Sequence, residues 1–143
     1  MDANRNLNIF IVDEDKESRL RYKDILAGLG FNNIIEVNCA DECFKIISNQ
    51  PDVVILDQGH NPKDGIETLK KIKATNPDIY VVFVTDKEHL QIPDSAQNHG
   101  AFDYLYKGYK EESMLNMVMQ KILYVKEMIV KRPTKTEFSF YNL

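Results

Sequence analysis

Five polar side chains interrupt the pattern where a run of apolar residues stops. Asp13 and Glu14 follow LNIFIV, Asp57 follows VVIL, Thr85 follows YVVFV, and Lys107 follows DYLY. The steps between them are 44 residues from Asp13 to Asp57, 28 to Thr85 and 22 to Lys107. In open α/β sheets ligands bind outside the carboxyl ends of the strands, at the point where the strand order reverses. If the four strands carrying these residues are neighbours, the groups meet over one edge. Three carboxylates crowded there repel one another unless a cation joins them. A hard divalent ion with oxygen ligands, Mg²⁺ above all, answers that need. Taken singly, each residue has an ordinary reading. Asp13 and Glu14 suit the start of a helix, Asp57 a strand-ending turn, Thr85 a cap, and Lys107 a solvated surface.

The elements that must position them alternate regularly. Residues 7–12 form a short β-rich run, and residues 16–29 repeat apolar side chains at helical spacing (Leu20, Ile25, Leu26, Leu29) before Gly30. A second strand is expected over 33–37 and a second helix over 40–49, with Cys43, Phe44, Ile46 and Ile47 apolar. Pro51 breaks the chain before a third strand at 53–56. Pro62 and Gly65 read as punctuation of a loop ahead of a helix over 66–74. A fourth strand at 80–84, a short helix within 94–99, a fifth strand at 102–106 and a long helix over 111–130 complete the series. Five β/α pairs in succession predict a parallel sheet with helices on both faces. The unbroken apolar strands VVIL and YVVFV agree, since such strands are buried on both sides.

The composition excludes several classes. At 143 residues, 43% hydrophobic and 28% charged, the chain is expected to fold as one domain with its own core. Its apolar run YVVFV is far too short to span a membrane, and the first residues carry no secretory stretch. Eighteen Lys and Arg against 22 Asp and Glu leave a net charge of −4, which argues against nucleic-acid binding. Cys39 and Cys43 lack the further ligands of a zinc site and read as helix-packing residues in a reducing cytoplasm. His60, His89 and His99 form no metal motif, and no Gly-rich phosphate loop is present.

With these residues assembled, residues 7–130 resemble a response-regulator receiver domain. The likeness rests on IVDED (Asp13, Glu14), VVILD (Asp57), KDG (Asp64, Gly65), FVT (Thr85) and DYLYK (Tyr104, Lys107). The stretch GAFDYLYKG is similar to stand-alone receivers. The resemblance implies a flavodoxin-like (β/α)5 fold with strand order 2-1-3-4-5, a receiver over 1–130 and an irregular tail over 131–143. It also implies that Asp57 takes a phosphoryl group from a sensor histidine kinase or phosphotransfer protein. Mg²⁺ would be held by Asp13, Glu14, Asp57 and the backbone carbonyl of Gly59. Lys107 would neutralise phosphoryl charge, while Thr85 and Tyr104 would act as the switch. A carboxylate is a weak nucleophile, so such catalysis must come from positioning and charge neutralisation.

The chain departs from that family in four places. Glu14 stands at the second acid position, where Asp is usual. Gly108 follows the lysine in place of proline, Pro62 comes one residue late, and Asp86 follows Thr85 where a small residue is common. Two other readings therefore stay beside the phospho-acceptor: a pseudo-receiver that binds partners without phosphorylation, and a phosphatase built on Asp13-Glu14-Asp15. Output is expected through the face made by the fourth strand, fourth helix, fifth strand and fifth helix, with homodimerisation there as one form. On the last helix, Met114, Val118, Ile122, Val125 and Ile129 are expected to face the sheet. Met119, Leu123 and Val130 would form a second apolar strip near Tyr106 and the aromatic tail residues Phe138, Phe140 and Tyr141.

Overall fold

A wholly apolar strand is protected only when helices cover both faces of its sheet. The computed structural model, which describes residues 5–87 and 91–130, has that arrangement. Its elements run β1 Ile9–Val12, α1 Lys16–Gly28, β2 Ile34–Val37, α2 Ala40–Ile46 with a 3-10 turn at Ile47–Asn49, and β3 Val53–Asp57. Then come α3 Pro62–Thr75, β4 Tyr80–Thr85, α4 Ile92–Asn98, β5 Asp103–Tyr106 and α5 Glu111–Val130. All strand pairs are parallel, in the order β2-β1-β3-β4-β5. The expected doubly wound sheet is therefore present.

Alternate residues of each strand enter opposite layers. Ile9, Ile11, Ile55, Val82 and Val84 pack with Tyr22 and Leu26 of α1 and with Leu115, Val118 and Ile122 of α5. Phe10, Val12, Val54, Leu56 and Phe83 pack on the other side with Cys43, Ile66, Leu69, Ile72 and Ala96 of α2, α3 and α4. Each fully buried large aliphatic or aromatic side chain contributes about 1.5–3 kcal/mol, so these two layers carry the sheet.

Three expectations are corrected. The helix predicted over 66–74 begins at Pro62, because Asn61 caps it by accepting from the Lys63 N–H (3.0 Å). Proline at the first helical position surrenders an N–H that would have had no partner there. In α1 the buried positions are Ser18, Tyr22 and Leu26, while Leu20 is exposed. On α5 the buried face is Leu115, Val118, Met119, Ile122 and Leu123, at the spacing i, i+3, i+4, i+7, i+8. Met119 and Leu123 are therefore core, and Ile129 is exposed. The side chain of Val130 and the aromatic tail lie outside the described residues. Periodicity could not choose the face because apolar residues occur all round this helix. Packing of α1 against α5 chose it, through contacts of Tyr22, Leu26 and Phe31 in the same layer.

Gly65 sits in the first turn of α3 and lets the helix approach the loop after β3. A Cβ there would lie 2.6 Å from the Gln58 carbonyl oxygen and 2.8 Å from the Gln58 Cα. Both are backbone atoms and cannot swing aside. Gly65→Ala is expected to cost about 1–3 kcal/mol, read as a lower urea midpoint at unchanged slope. An unshifted midpoint would show that α3 lifts freely from the loop.

Candidate functional site

The strand register brings the predicted residues together. Val12 is paired with Leu56, so Asp13 and Asp57 leave adjacent strands side by side. Asp57 itself pairs with Val84, and Thr85 with Tyr106, one residue before Lys107. The ladder continues past the strands: the Gln58 N–H donates to the Val84 carbonyl (2.8 Å), and the Lys107 N–H to that of Thr85 (2.7 Å). These bonds carry strand rigidity one residue further, to the functional side chains.

The Lys107 ammonium lies between two carboxylates, 3.2 Å from Asp13 Oδ2 and 3.3 Å from Asp57 Oδ1. The second oxygen of each carboxylate is held by backbone. Asp13 Oδ1 accepts from the Asp15 N–H and Asp57 Oδ2 from the Gly59 N–H, both at 2.9 Å. Gly59 has φ +79°, the left-handed region that favours glycine. Asp15 belongs to α1 instead, accepting from the Ser18 hydroxyl (2.7 Å) and the Glu17 N–H (3.3 Å) as the helix cap. A cleft of about 450 Å³ opens over this edge, with Asp13, Glu14, Asp57, Thr85, Asp86 and Lys107 in its wall.

One cation shared by two carboxylates leaves the cleft negative, and the titration directions follow. Burial raises the Asp57 pKa and the Asp13 charge adds to it, outweighing the Gly59 N–H and Lys107. Burial acts to lower the Lys107 pKa, but Asp57 and Asp13 together hold it above the ordinary lysine value.

Family membership rests on this geometry and on one match over most of the chain. The model of the response regulator receiver domain family matches residues 9–119. The chain belongs to that family. It is 31% identical over 119 residues to the DNA-binding transcriptional regulator NtrC of Escherichia coli (strain K12), covering 83% of this chain and 25% of that protein. To the response regulator GacA of Pseudomonas aeruginosa it is 29% identical over 116 residues, 80% of this chain and 54% of the relative. The crystal structure of the receiver domain of NtrX from Brucella abortus matches with a TM-score of 0.73 at 26% identity, over 82% of this chain and 98% of that one. A two-component response regulator from Clostridium difficile matches with the same TM-score at 28% identity, over 83% and 97%. The chain spans about a quarter of the length of the NtrC relatives it matches.

The remaining predicted residues of this receiver domain are arranged as follows. Thr85 is buried, and Tyr104 is partly buried with its ring 5.6 Å edge-to-face from Tyr106. Glu14 turns outward and pairs with His60 at 3.0 Å, with both side chains more than half exposed. The candidate ligands are all oxygens and suit a hard cation by type. Among the described residues, however, no three His, Cys, Asp or Glu side chains are gathered as a ready metal cage. Lys107 stands between two of the acids, and Glu14 is paired with His60 at the rim of the same cleft.

Sequence reasoning missed two groups. Gln58 is buried beside Thr85. On the other flank, Glu111 accepts from Arg21 (2.8 and 3.3 Å) and from the Tyr22 hydroxyl. Burial would raise the Glu111 pKa, but Arg21 and Tyr22 outweigh it and hold it low. Gly108, at φ +78°, lies in the turn after Lys107, which the Tyr109 N–H closes by donating to the Tyr106 carbonyl (3.1 Å). Neither group repeats or stands at a strand end with an obvious charge, so no pattern in the sequence signals them.

The raised Asp57 pKa carries a stability consequence. A carboxyl group whose pKa is raised by folding favours the native state while it is protonated, and disfavours it once ionised. Asp57→Asn is therefore expected to melt above wild type at neutral pH. The advantage should shrink as pH falls through the native Asp57 pKa, which burial and Asp13 raise above the ordinary aspartate value. Equal melting temperatures at pH 7 would show that Lys107 already neutralises the charge in full.

Proposed function

We propose that this receiver domain takes a phosphoryl group onto Asp57, with Mg²⁺ as cofactor, and changes its binding to partners when it does. The observation that carries the reading is the Lys107 ammonium shared between Asp13 and Asp57 in a cleft that remains negative. Receiver domains interact with histidine kinases, and the donor proposed is a sensor histidine kinase or a phosphotransfer protein. An Asp57 oxygen attacks phosphorus as the bond to the donor imidazole nitrogen breaks. Lys107 shifts from Asp57 toward the incoming phosphoryl oxygens while Asp13 keeps it in place. Asp13, Glu14, Asp57 and the Gly59 carbonyl would hold Mg²⁺, which neutralises phosphoryl charge when bound. Thr85 then donates its hydroxyl to a phosphoryl oxygen, and Tyr104 carries the change outward. No nucleic-acid contact is proposed for a domain of net charge −4, and among the described residues no helix is long and apolar enough to cross a membrane. The compartment proposed is the cytoplasm, where the phosphodonor works.

One observation favours the pseudo-receiver reading: Glu14 pairs with His60 instead of joining the other acids. Phosphorylation separates the two. Acetyl phosphate with Mg²⁺ should add one phosphoryl group by intact-protein mass spectrometry, absent from Asp57→Asn and absent with a chelator. A wild type that stays unmodified would leave only the pseudo-receiver, and modification of Asp57→Asn would move the acceptor to another acid.

The output face proposed runs over β4, α4, β5 and α5. Met117, Tyr124 and Met128 are exposed and follow one another at seven and four residues along one side of α5. Lys121 lies on that side and reaches Asp103 at the start of β5 (3.1 Å). A second copy of the chain is the partner proposed for this stripe. Tyr124→Lys should abolish phosphorylation-dependent self-association in light scattering while leaving Asp57 phosphorylation intact. An unchanged mass would remove the dimer.

A further inference from the structure

Gln58 directly follows Asp57, and its amide is buried. Burying an amide is unfavourable unless each of its polar atoms has a partner. Here every atom has one. Oε1 accepts from the Thr85 hydroxyl (2.5 Å) and from the Asp86 N–H (3.3 Å), and Nε2 donates to Asp86 Oδ2 (2.9 Å). The amide can lie only this way round. Turned end for end, its oxygen would face a carboxylate and its NH₂ a backbone N–H. Asp86 thereby decides that an acceptor is presented to Thr85.

A hydroxyl has a single proton to give. The Thr85 Oγ1 has a longer contact, 3.5 Å, with the Asp86 carbonyl, but Gln58 is its close acceptor. A proton given to Gln58 is not given to an oxygen on Asp57. The amide also starts from a fixed point, since the Gln58 N–H is tied to Val84 and its carbonyl oxygen lies only 2.6 Å from where a Gly65 Cβ would be. We propose that Gln58 is a positioning residue, a latch that holds the Thr85 hydroxyl in the resting arrangement, and that Asp86 sets the latch by orienting the Gln58 amide. A phosphoryl group on Asp57 must win Thr85 from Gln58, so the latch sets how strongly the domain resists switching. This inference rests on the reading of Asp57 as phospho-acceptor and Thr85 as its donor.

The test uses the whole chain and beryllium fluoride with Mg²⁺, a non-covalent stand-in for a phosphoryl group on a carboxylate, with affinity read by titration calorimetry. Gln58→Met keeps the bulk and removes the acceptor. It should bind roughly threefold to tenfold more tightly than wild type, the worth of one neutral hydrogen bond. Asp86→Asn, which lets the amide turn, should bind more tightly than wild type but less so than Gln58→Met. The deciding arm is Thr85→Ala: in that background Gln58→Met should change nothing, because a latch needs its hydroxyl. A gain of the same size without the hydroxyl, or no gain with it, overturns the latch. Should Gln58→Met fail to fold by circular dichroism, Gln58→Asn, one methylene too short to hold Thr85, takes its place under the same outcomes. Mass spectrometry of wild type with acetyl phosphate runs in parallel. A wild type that is modified at Asp57 but shows no coupling loses the latch alone, and one never modified there loses the phospho-acceptor reading and the latch with it.

Discussion

One ammonium serving two carboxylates is the constraint on which the rest of this domain depends. Asp13 and Asp57 leave neighbouring strands at the same level, so their charges cannot be separated by any local adjustment. Lys107 answers both at 3.2 and 3.3 Å from the far side of the site. The pair shares one cation, and burial together with the neighbouring Asp13 charge raises the Asp57 pKa. Phosphoryl chemistry of the kind proposed for this site takes its catalysis from positioning and charge neutralisation.

Lys107 can hold this place only because its backbone is held from both sides. Its N–H continues the ladder to Thr85, and the turn that follows is closed by the Tyr109 N–H donating to the Tyr106 carbonyl. Glu111, at the start of α5, is anchored to α1 by Arg21 and Tyr22. Asp57 is held comparably: Gly59 donates to its carboxylate, and Gly65 lets α3 close against the intervening Gln58. Gly59 and Gly108 supply left-handed backbone in their turns, and Gly65 leaves room that a Cβ would take from the Gln58 backbone.

Much of this was legible from the chain alone, for a definite reason. Buried parallel strands must be apolar throughout, so the first polar residue after each run marks the carboxyl edge of the sheet. Asp13, Asp57, Thr85 and Lys107 were found in that way, and the alternation of strands and helices made the doubly wound class the natural expectation. The strand order itself came from the resemblance to a family, since no local pattern orders parallel strands.

Only the tertiary structure decided which way side chains turn and which residues become their partners. Glu14 and Asp13 are neighbours in sequence, yet one pairs with exposed His60 at the cleft rim and the other with Lys107 at its floor. Tyr22 displaces Leu20 from the buried face of α1 because its hydroxyl finds Glu111, 89 residues away. Met119 and Leu123 become core because α1 packs on that side of α5. Gln58 is buried because Thr85 and Asp86 from the next strand satisfy its amide. Periodicity and charge type act over one element and can be read along the chain. Partnership across 27 to 94 residues depends on register and layer packing, which exist only once the sheet has formed.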